Sequence, residues 1–119
     1  MTIVLLDDNE MDLFVSSKLL ENLHADVIVK GFTNPDNALD FLQADNSVIG
    51  LFVDNQMPGM SGFDFLAMLI ENDIILPYMA VLTASLGTAE RSKYAQLSRK
   101  VHLFEKPIKP DQIRLSLSL

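Results

Sequence analysis

Short apolar segments alternate with helix-like segments along the chain. The segments at 2–6 and 48–53 are apolar almost without interruption, and three weaker ones lie at 27–32, 78–82 and 101–104. Continuous apolar runs of this length are typical of strands that are buried on both faces of a sheet. The pattern therefore predicts five strands.

Between these segments, apolar residues recur at helical spacing. Over 11–23, Phe14, Leu20 and Leu23 lie near one helical face, and we expect all three to contact the core. Four further helices are predicted. The second begins at Pro35 after a capping Asn34, and the third begins at Ser61 or Gly62. The fourth spans 88–97, and the fifth runs from Pro110 to the C-terminus.

Strands that alternate with helices predict an α/β fold, in which right-handed crossovers place helices on both faces of a parallel sheet. The 119 residues are close to the common size of one domain, so we expect 1–119 to form a single unit. In such sheets, ligands bind beyond the C-terminal ends of the strands. The residues that end each strand are therefore the candidates for function.

Charge and composition narrow the classes of function. The net charge of -7 disfavours direct contact with nucleic acid or an anionic membrane, since both require clustered cations. The absence of cysteine excludes disulfides, thiolate catalysis and cysteine-based zinc sites. The N-terminal apolar run is too short for a signal peptide, and no apolar stretch reaches membrane-spanning length. We therefore expect a soluble, cytoplasmic domain.

Five side chains with useful chemistry stand at the ends of the predicted strands. Asp7 and Asp8 follow the first strand, Asp54 the third and Thr83 the fourth, and Lys106 comes after the fifth. Taken singly, each of these residues has an ordinary structural role. An aspartate after a strand is often a turn former or a helix cap, a threonine often favours a strand, and a lysine is often a solvated surface charge. Together they converge on one edge of the sheet, where no packing requirement would place them.

This set of side chains suits acyl-phosphate chemistry. Carboxylates such as those of Asp7, Asp8 and Asp54 are ligands that Mg²⁺ prefers, and a divalent cation relieves their mutual repulsion. A carboxylate can also attack phosphorus, and the metal and Lys106 would then neutralise charge on the transferring oxygens. The set predicts a site for Mg²⁺, with Mn²⁺ as an alternative, around Asp54.

The segment after Asp54 supports this interpretation. It contains Pro58 and two glycines, which force a turn before the third helix and keep the space above Asp54 open. We expect the turn also to place the backbone carbonyl of Gln56 well for a further metal ligand.

At these residues the sequence resembles the receiver domains of two-component response regulators, and the resemblance covers the whole chain. The residues that carry it are Asp7-Asp8, Asp54-x-x-Met57-Pro58-x-x-x-Gly62, Thr83-Ala84 and Lys106-Pro107. Each motif alone is weak or moderate, but their order and spacing together are specific. The resemblance implies a flavodoxin-like (βα)5 fold with five parallel strands in the order 2-1-3-4-5.

The resemblance also implies a role for each residue at the sheet edge. Asp54 looks like the phosphoacceptor, which receives a phosphoryl group from a phosphohistidine of a sensor histidine kinase or a histidine phosphotransfer protein. Asp7 and Asp8 look like the magnesium-binding pair. Thr83 looks like the hydroxyl that switches on phosphorylation, and Lys106 like the lysine that contacts the phosphoryl group.

Two regions depart from the family pattern. Leu103 replaces the usual aromatic residue three positions before the lysine, and Phe104 should face the other side of the strand, so the usual coupling between the threonine and a ring is in question. Arg99 and Lys100 replace the usual Gly-Ala before strand five, in a region that most receivers use for output. Pro107 matches the family proline, whose peptide bond is often cis.

The last predicted helix is apolar on two sides. Ile113 and Leu117 share one face, whereas Leu115 and Leu119 lie about 200° away from Ile113. We hypothesise that Leu115 and Leu119 contact a second subunit or a downstream output domain. Fraying of the helix end is the alternative.

Two other functions use the same residues. A small magnesium-dependent phosphatase would share the chemistry, but such hydrolases carry a second aspartate two residues after the nucleophile, where this chain has Gln56. An interaction module that works without phosphorylation is compatible with Leu103, but the intact acids and Lys106 weigh against it. We therefore expect a phosphoacceptor switch that catalyses only its own phosphorylation and dephosphorylation.

Overall fold

The computed structural model describes residues 1–118, in which strands and helices alternate from one end to the other. Every predicted element is present, with ends within two residues of the predicted ones. No helix among the described residues is long and apolar enough to cross a membrane. The strands are β1 (Thr2–Leu6), β2 (Ile28–Phe32), β3 (Val48–Asp54), β4 (Met79–Thr83) and β5 (His102–Glu105), and the helices are α1 (Glu10–Glu21), α2 (Pro35–Ala44), α3 (Gly62–Glu71), α4 (Thr88–Ala95) and α5 (Pro110–Leu117).

The five strands form one parallel sheet in the order β2-β1-β3-β4-β5, which confirms the predicted α/β fold and strand order. The register aligns the carboxyl ends of the central strands: Leu6 pairs with Val53, and Asp54 pairs with Leu82. Thr83 pairs with Glu105, the last residue of β5. The residues that end β3 and β4, and those that follow β1 and β5, therefore meet at one edge of the sheet.

The core lies on both faces of the sheet, as the apolar runs predict. Strands β1, β3 and β4 are almost entirely buried, whereas β2 at the edge is largely exposed. Helices α2, α3 and α4 cover one face, and helices α1 and α5 cover the other. The site at the carboxyl edge is thus supported by three rigid central strands.

The prediction that Phe14 of α1 contacts the core is wrong. Leu20 and Leu23 are buried, but the side chain of Phe14 is 61% exposed. Phe14 and Leu20 are six residues apart, which is about 240° around a helix, so the two side chains cannot share a face. Phe14 instead forms an exposed apolar surface on α1 together with Met11 and Val15.

Helix α5 has the two-sided character that its sequence predicts. Ile113 is fully buried and Leu117 packs against the same core cluster, whereas Leu115 is 82% exposed. Leu119 lies outside the described residues. The part of the hypothesis that concerns Leu115 is thus compatible with the fold, and its partner remains a proposal.

Candidate functional site

Three aspartates meet at the carboxyl edge of the sheet. One carboxylate oxygen of each of Asp7, Asp8 and Asp54 lies within 4.8 Å of the others. They are close because β1 and β3 are hydrogen-bonded neighbours and end at the same level. The Asp7 side chain is fully buried, that of Asp54 is 13% exposed, and Asp8 is exposed. The acids therefore range from the protein interior to solvent across one small site.

The ammonium group of Lys106 connects these acids. Its Nζ lies 2.9 Å from Asp7 Oδ2, 3.2 Å from Asp54 Oδ1 and 3.3 Å from Asp12 Oδ2. Asp12, in the first turn of α1, is a member of the site that sequence reasoning missed. The available signal was Asn9, which caps α1 by accepting a hydrogen bond from the Asp12 amide and so fixes that turn beside the strand end.

The electrostatics of the site favour additional positive charge. Burial raises the pKa of Asp54, the charge of Asp7 raises it further, and Lys106 offsets part of this shift. Burial alone would lower the pKa of Lys106, but its hydrogen bond to Asp7 and the charges of Asp54 and Asp7 raise it above the ordinary value. A single ammonium thus faces several carboxylates. Hard oxygen ligands with excess negative charge fit a divalent cation such as Mg²⁺.

Asp54 opens into a cavity of about 310 Å³ that also contains Thr83, Lys106 and Gln56. The Thr83 hydroxyl donates to the carbonyl of Ser85 at 3.1 Å and accepts from the Ser85 amide at 3.3 Å. The hydroxyl is therefore bonded within the loop that leads to α4. The predicted residues share one space, with Asp7 and Asp8 beside it. The peptide bond between Lys106 and Pro107 is cis, as the resemblance implies.

The turn between β3 and α3 is fixed by a cap and by a close approach. Ser61 and Asp64 form a reciprocal capping box at the start of α3. A Cβ atom on Gly62 would lie 2.6 Å from the backbone oxygen of Asp54 and 3.2 Å from the hydroxyl of Tyr94. Only glycine permits this approach, so Gly62 sets the position of the strand end that carries Asp54.

We expect Gly62→Ala to lower the free energy of unfolding by about 2 kcal/mol or more, because the added methyl group meets backbone and forces a shift. Urea denaturation measures the effect. Gly87→Ala is the matched control, because a Cβ there meets nothing within 4 Å. Equal denaturation midpoints for the two variants would contradict the close-approach argument.

A second pair of residues that the sequence did not reveal joins α4 to this turn. The Tyr94 hydroxyl lies 2.5 Å from Asn55 Oδ1, and both residues are buried. Leu103 packs against the core cluster that contains Tyr94, whereas Phe104 packs on the opposite face of the sheet. This confirms that Phe104 does not occupy the position of the missing aromatic residue.

Comparisons with known proteins agree with this geometry. Residues 3–118 match the family model of the response regulator receiver domain. No curated protein matches the sequence. The fold resembles chemotaxis protein CheY4 of Vibrio cholerae, with a TM-score of 0.81 and 19% identity over 98% of this chain and 95% of that chain.

A second similar structure is the signal receiver domain of a DNA-binding response regulator (merR) from Colwellia psychrerythraea 34H. Its TM-score is 0.83, with 21% identity over 99% of this chain and 95% of that chain. At these identities the structures support the fold, and the family model supports membership. Because that model spans nearly all of the chain, the protein belongs to the response regulator receiver domains.

Proposed function

We propose that this domain is a phosphorylation switch of a two-component phosphorelay, in which Asp54 accepts a phosphoryl group from a phosphohistidine. The observation that supports this most directly is the ammonium of Lys106 between Asp7 and Asp54, in a cavity shared with Thr83. A carboxylate oxygen of Asp54 attacks phosphorus while the P–N bond to the donor imidazole breaks. The imidazole leaves with the electron pair and takes up a proton, and Asp54 becomes an aspartyl phosphate.

Lys106 and Thr83 act on the oxygens of the transferred group. Lys106 already contacts Asp54 Oδ1 at 3.2 Å and needs to move little to pair with a phosphoryl oxygen. Its bond to the buried Asp7 fixes the ammonium in this position. The Thr83 hydroxyl would exchange the Ser85 carbonyl for a phosphoryl oxygen, which releases the loop before α4.

Magnesium fits the acids described above, and we propose that Asp7, Asp8, Asp54 and the backbone carbonyl of Gln56 hold it, with Mn²⁺ as an alternative. When bound, the cation neutralises charge on the transferring phosphoryl oxygens. Asp8 is the exposed member of the set, so it offers a ligand without supporting the core.

We expect Mg²⁺ to stabilise the wild-type protein, by about 2.7 kcal/mol at a hundredfold excess over its Kd, because it binds the folded acids and not the unfolded chain. Thermal unfolding with and without Mg²⁺ measures this. Asp8→Asn should lose most of the response, and the exposed Asp40→Asn should keep it. A wild-type protein that does not respond to Mg²⁺ would favour an interaction module that is not phosphorylated.

The proposed function is tested by incubation with acetyl phosphate and Mg²⁺, followed by intact-protein mass spectrometry. We expect one phosphoryl group per chain, and none when a chelator removes the metal. No incorporation from acetyl phosphate or from a phosphohistidine protein would sink the proposal. Sustained turnover of a small phosphoester would instead favour a phosphatase. We propose that the domain catalyses only its own phosphorylation and dephosphorylation.

The surface beside the pocket suits a protein donor, such as a sensor histidine kinase or a histidine phosphotransfer protein, in the cytoplasm. Asp12 lines the cavity of Asp54, and the exposed Met11, Phe14 and Val15 lie on the same turns of α1. Exposed apolar side chains at this density mark protein contact surfaces.

We also propose that α5 contacts a second subunit or an output domain through Leu115, which is 82% exposed. Leu115→Glu should lower the average mass in light scattering if the contact is a homodimer, since burying the new charge is costly. Asp111→Asn, an exposed change on the same helix, serves as the control. A monomer that is unchanged by Leu115→Glu would count against the homodimer.

A further inference from the structure

Helix α4 is held to the domain chiefly by one side chain. Tyr94, in its last turn, is the only buried residue of the helix. Gly87 precedes the helix and supplies no side-chain cap. A short polar helix with a single buried anchor moves when that anchor moves, because little other packing resists the shift.

The anchor ends beside the phosphorylation pocket. The Tyr94 hydroxyl donates to Asn55 Oδ1 at 2.5 Å, and its ring packs edge-on against Phe63 of α3 with ring centroids 5.7 Å apart. Burial raises the pKa of Tyr94, which keeps the hydroxyl protonated as a donor. A buried hydrogen bond of this kind is costly to leave unmade, so the two residues move together or both lose a partner.

Asn55 is rigidly joined to the acceptor. It follows Asp54 in the chain and lines the same cavity. Its backbone N–H donates to the backbone carbonyl of Leu82 at 2.8 Å, and its backbone carbonyl accepts from the N–H of Gly62 at 3.1 Å. A change in the position of the Asp54 backbone therefore reaches the Asn55 side chain without an intervening flexible link.

We propose that the hydrogen bond between Tyr94 and Asn55 transmits the phosphorylation state of Asp54 to α4, an inference that rests on the proposed function. Phosphorylation replaces the singly charged carboxylate of Asp54 with an acyl phosphate that carries about two negative charges, and it places three acceptor oxygens next to Asn55. The aliphatic Leu103 has no ring or polar group with which to report this change. Tyr94, which comes from α4 and not from β5, performs that task.

The transmission has a defined target surface. The Thr83 hydroxyl holds Ser85 in the loop before α4, and Tyr94 holds the last turn, so both ends of the helix are connected to the pocket. Tyr94 and Leu103 line a groove of about 460 Å³ between α4 and β5, whose rim carries cations although the chain as a whole is acidic. Displacement of Tyr94 changes the shape of this groove.

The test uses Mg²⁺ and beryllofluoride, which mimics a phosphoryl group on aspartate, with backbone amide chemical shifts as the readout. In the wild type we expect beryllofluoride to change the amide chemical shifts of residues at the pocket and of residues 88–95. In Tyr94→Phe the ring remains, so the pocket shifts should persist while those of α4 fall by more than half. Asn55→Ala removes the other end of the bond and should give the same loss.

Tyr78→Phe is the matched control, because it removes a buried hydroxyl that bonds Ser116 at 2.8 Å on the opposite face of the sheet. This variant should retain the full α4 response. Unchanged α4 shifts in Tyr94→Phe, or an equal loss in Tyr78→Phe, would overturn the inference while leaving the proposed function intact. Wild-type protein without pocket shifts would overturn the proposed function itself.

Discussion

Asp54→Asn should lose phosphate incorporation completely, and in metal-free buffer at neutral pH it should be more stable than the wild type. An amide oxygen does not replace the carboxylate as a nucleophile toward phosphorus. The gain in stability follows from the position of Asp54, whose pKa is raised first by burial and then by the charge of Asp7.

The sign of the pH dependence follows from that shift. A carboxyl group whose pKa is higher in the folded state binds its proton more tightly when folded, so ionisation costs folding stability. The cost is absent below the unfolded pKa, grows as pH rises to the folded pKa, and is complete at neutral pH. We therefore expect the advantage of Asp54→Asn to vanish in acid and to be largest near pH 7 in the presence of a chelator.

Urea denaturation of both proteins across this pH range measures the difference. Asp40→Asn, an exposed aspartate without an ion pair among the described residues, should follow the wild type at every pH. A variant that is less stable than the wild type at pH 7, or that still takes up phosphate, would contradict the account.

Lys106→Met should have the opposite effect on stability and a large effect on phosphorylation. Its ammonium lies 2.9 Å from the carboxylate of the fully buried Asp7. That carboxylate also accepts a hydrogen bond from the backbone N–H of Asn9. Removing one member of a buried ion pair leaves an uncompensated charge and costs roughly 3 kcal/mol. Loss of a cation that stabilises the transition state should also slow phosphotransfer by about a hundredfold or more.

Denaturation in metal-free buffer and the rate of phosphorylation by acetyl phosphate measure these two effects. Lys109→Met is the control, because Lys109 is exposed and only three residues away. Since Mg²⁺ would restore positive charge beside Asp7, it should recover part of the lost stability. Equal stability of Lys106→Met and Lys109→Met would show that the contact at Asp7 does not stabilise the fold.

The fold could be predicted because its signals are local and repeated. The central strands are continuous apolar runs, and alternation with helices leaves few topologies. In a parallel sheet the C-terminal ends of the strands lie at one edge, which predicts that Asp7, Asp54 and Thr83 meet there. The register of β1, β3 and β4 shows them at that edge. The position of Asp54 could be predicted without knowing any side-chain conformation, because Asp54 is the last residue of β3.

Other features depend on angles and distances that a sequence does not display. The apolar pattern misplaces Phe14, which is six residues before the buried Leu20. Six residues correspond to about 240° around a helix, so Phe14 points away from the core. Asp12 joins Lys106 only through the capped first turn of α1. The bond of Tyr94 to Asn55 joins residues far apart in the chain, and neither has a spacing that predicts the other.

The central claim is that Asp54, and no other residue, carries the phosphoryl group. Borohydride reduces an aspartyl phosphate to homoserine, so reduction after incubation with acetyl phosphate and Mg²⁺ marks the acceptor permanently. Peptide mass spectrometry should then find homoserine at position 54 alone. Homoserine at position 7 or 8, or a phosphorylated protein with unmodified Asp54, would contradict the account.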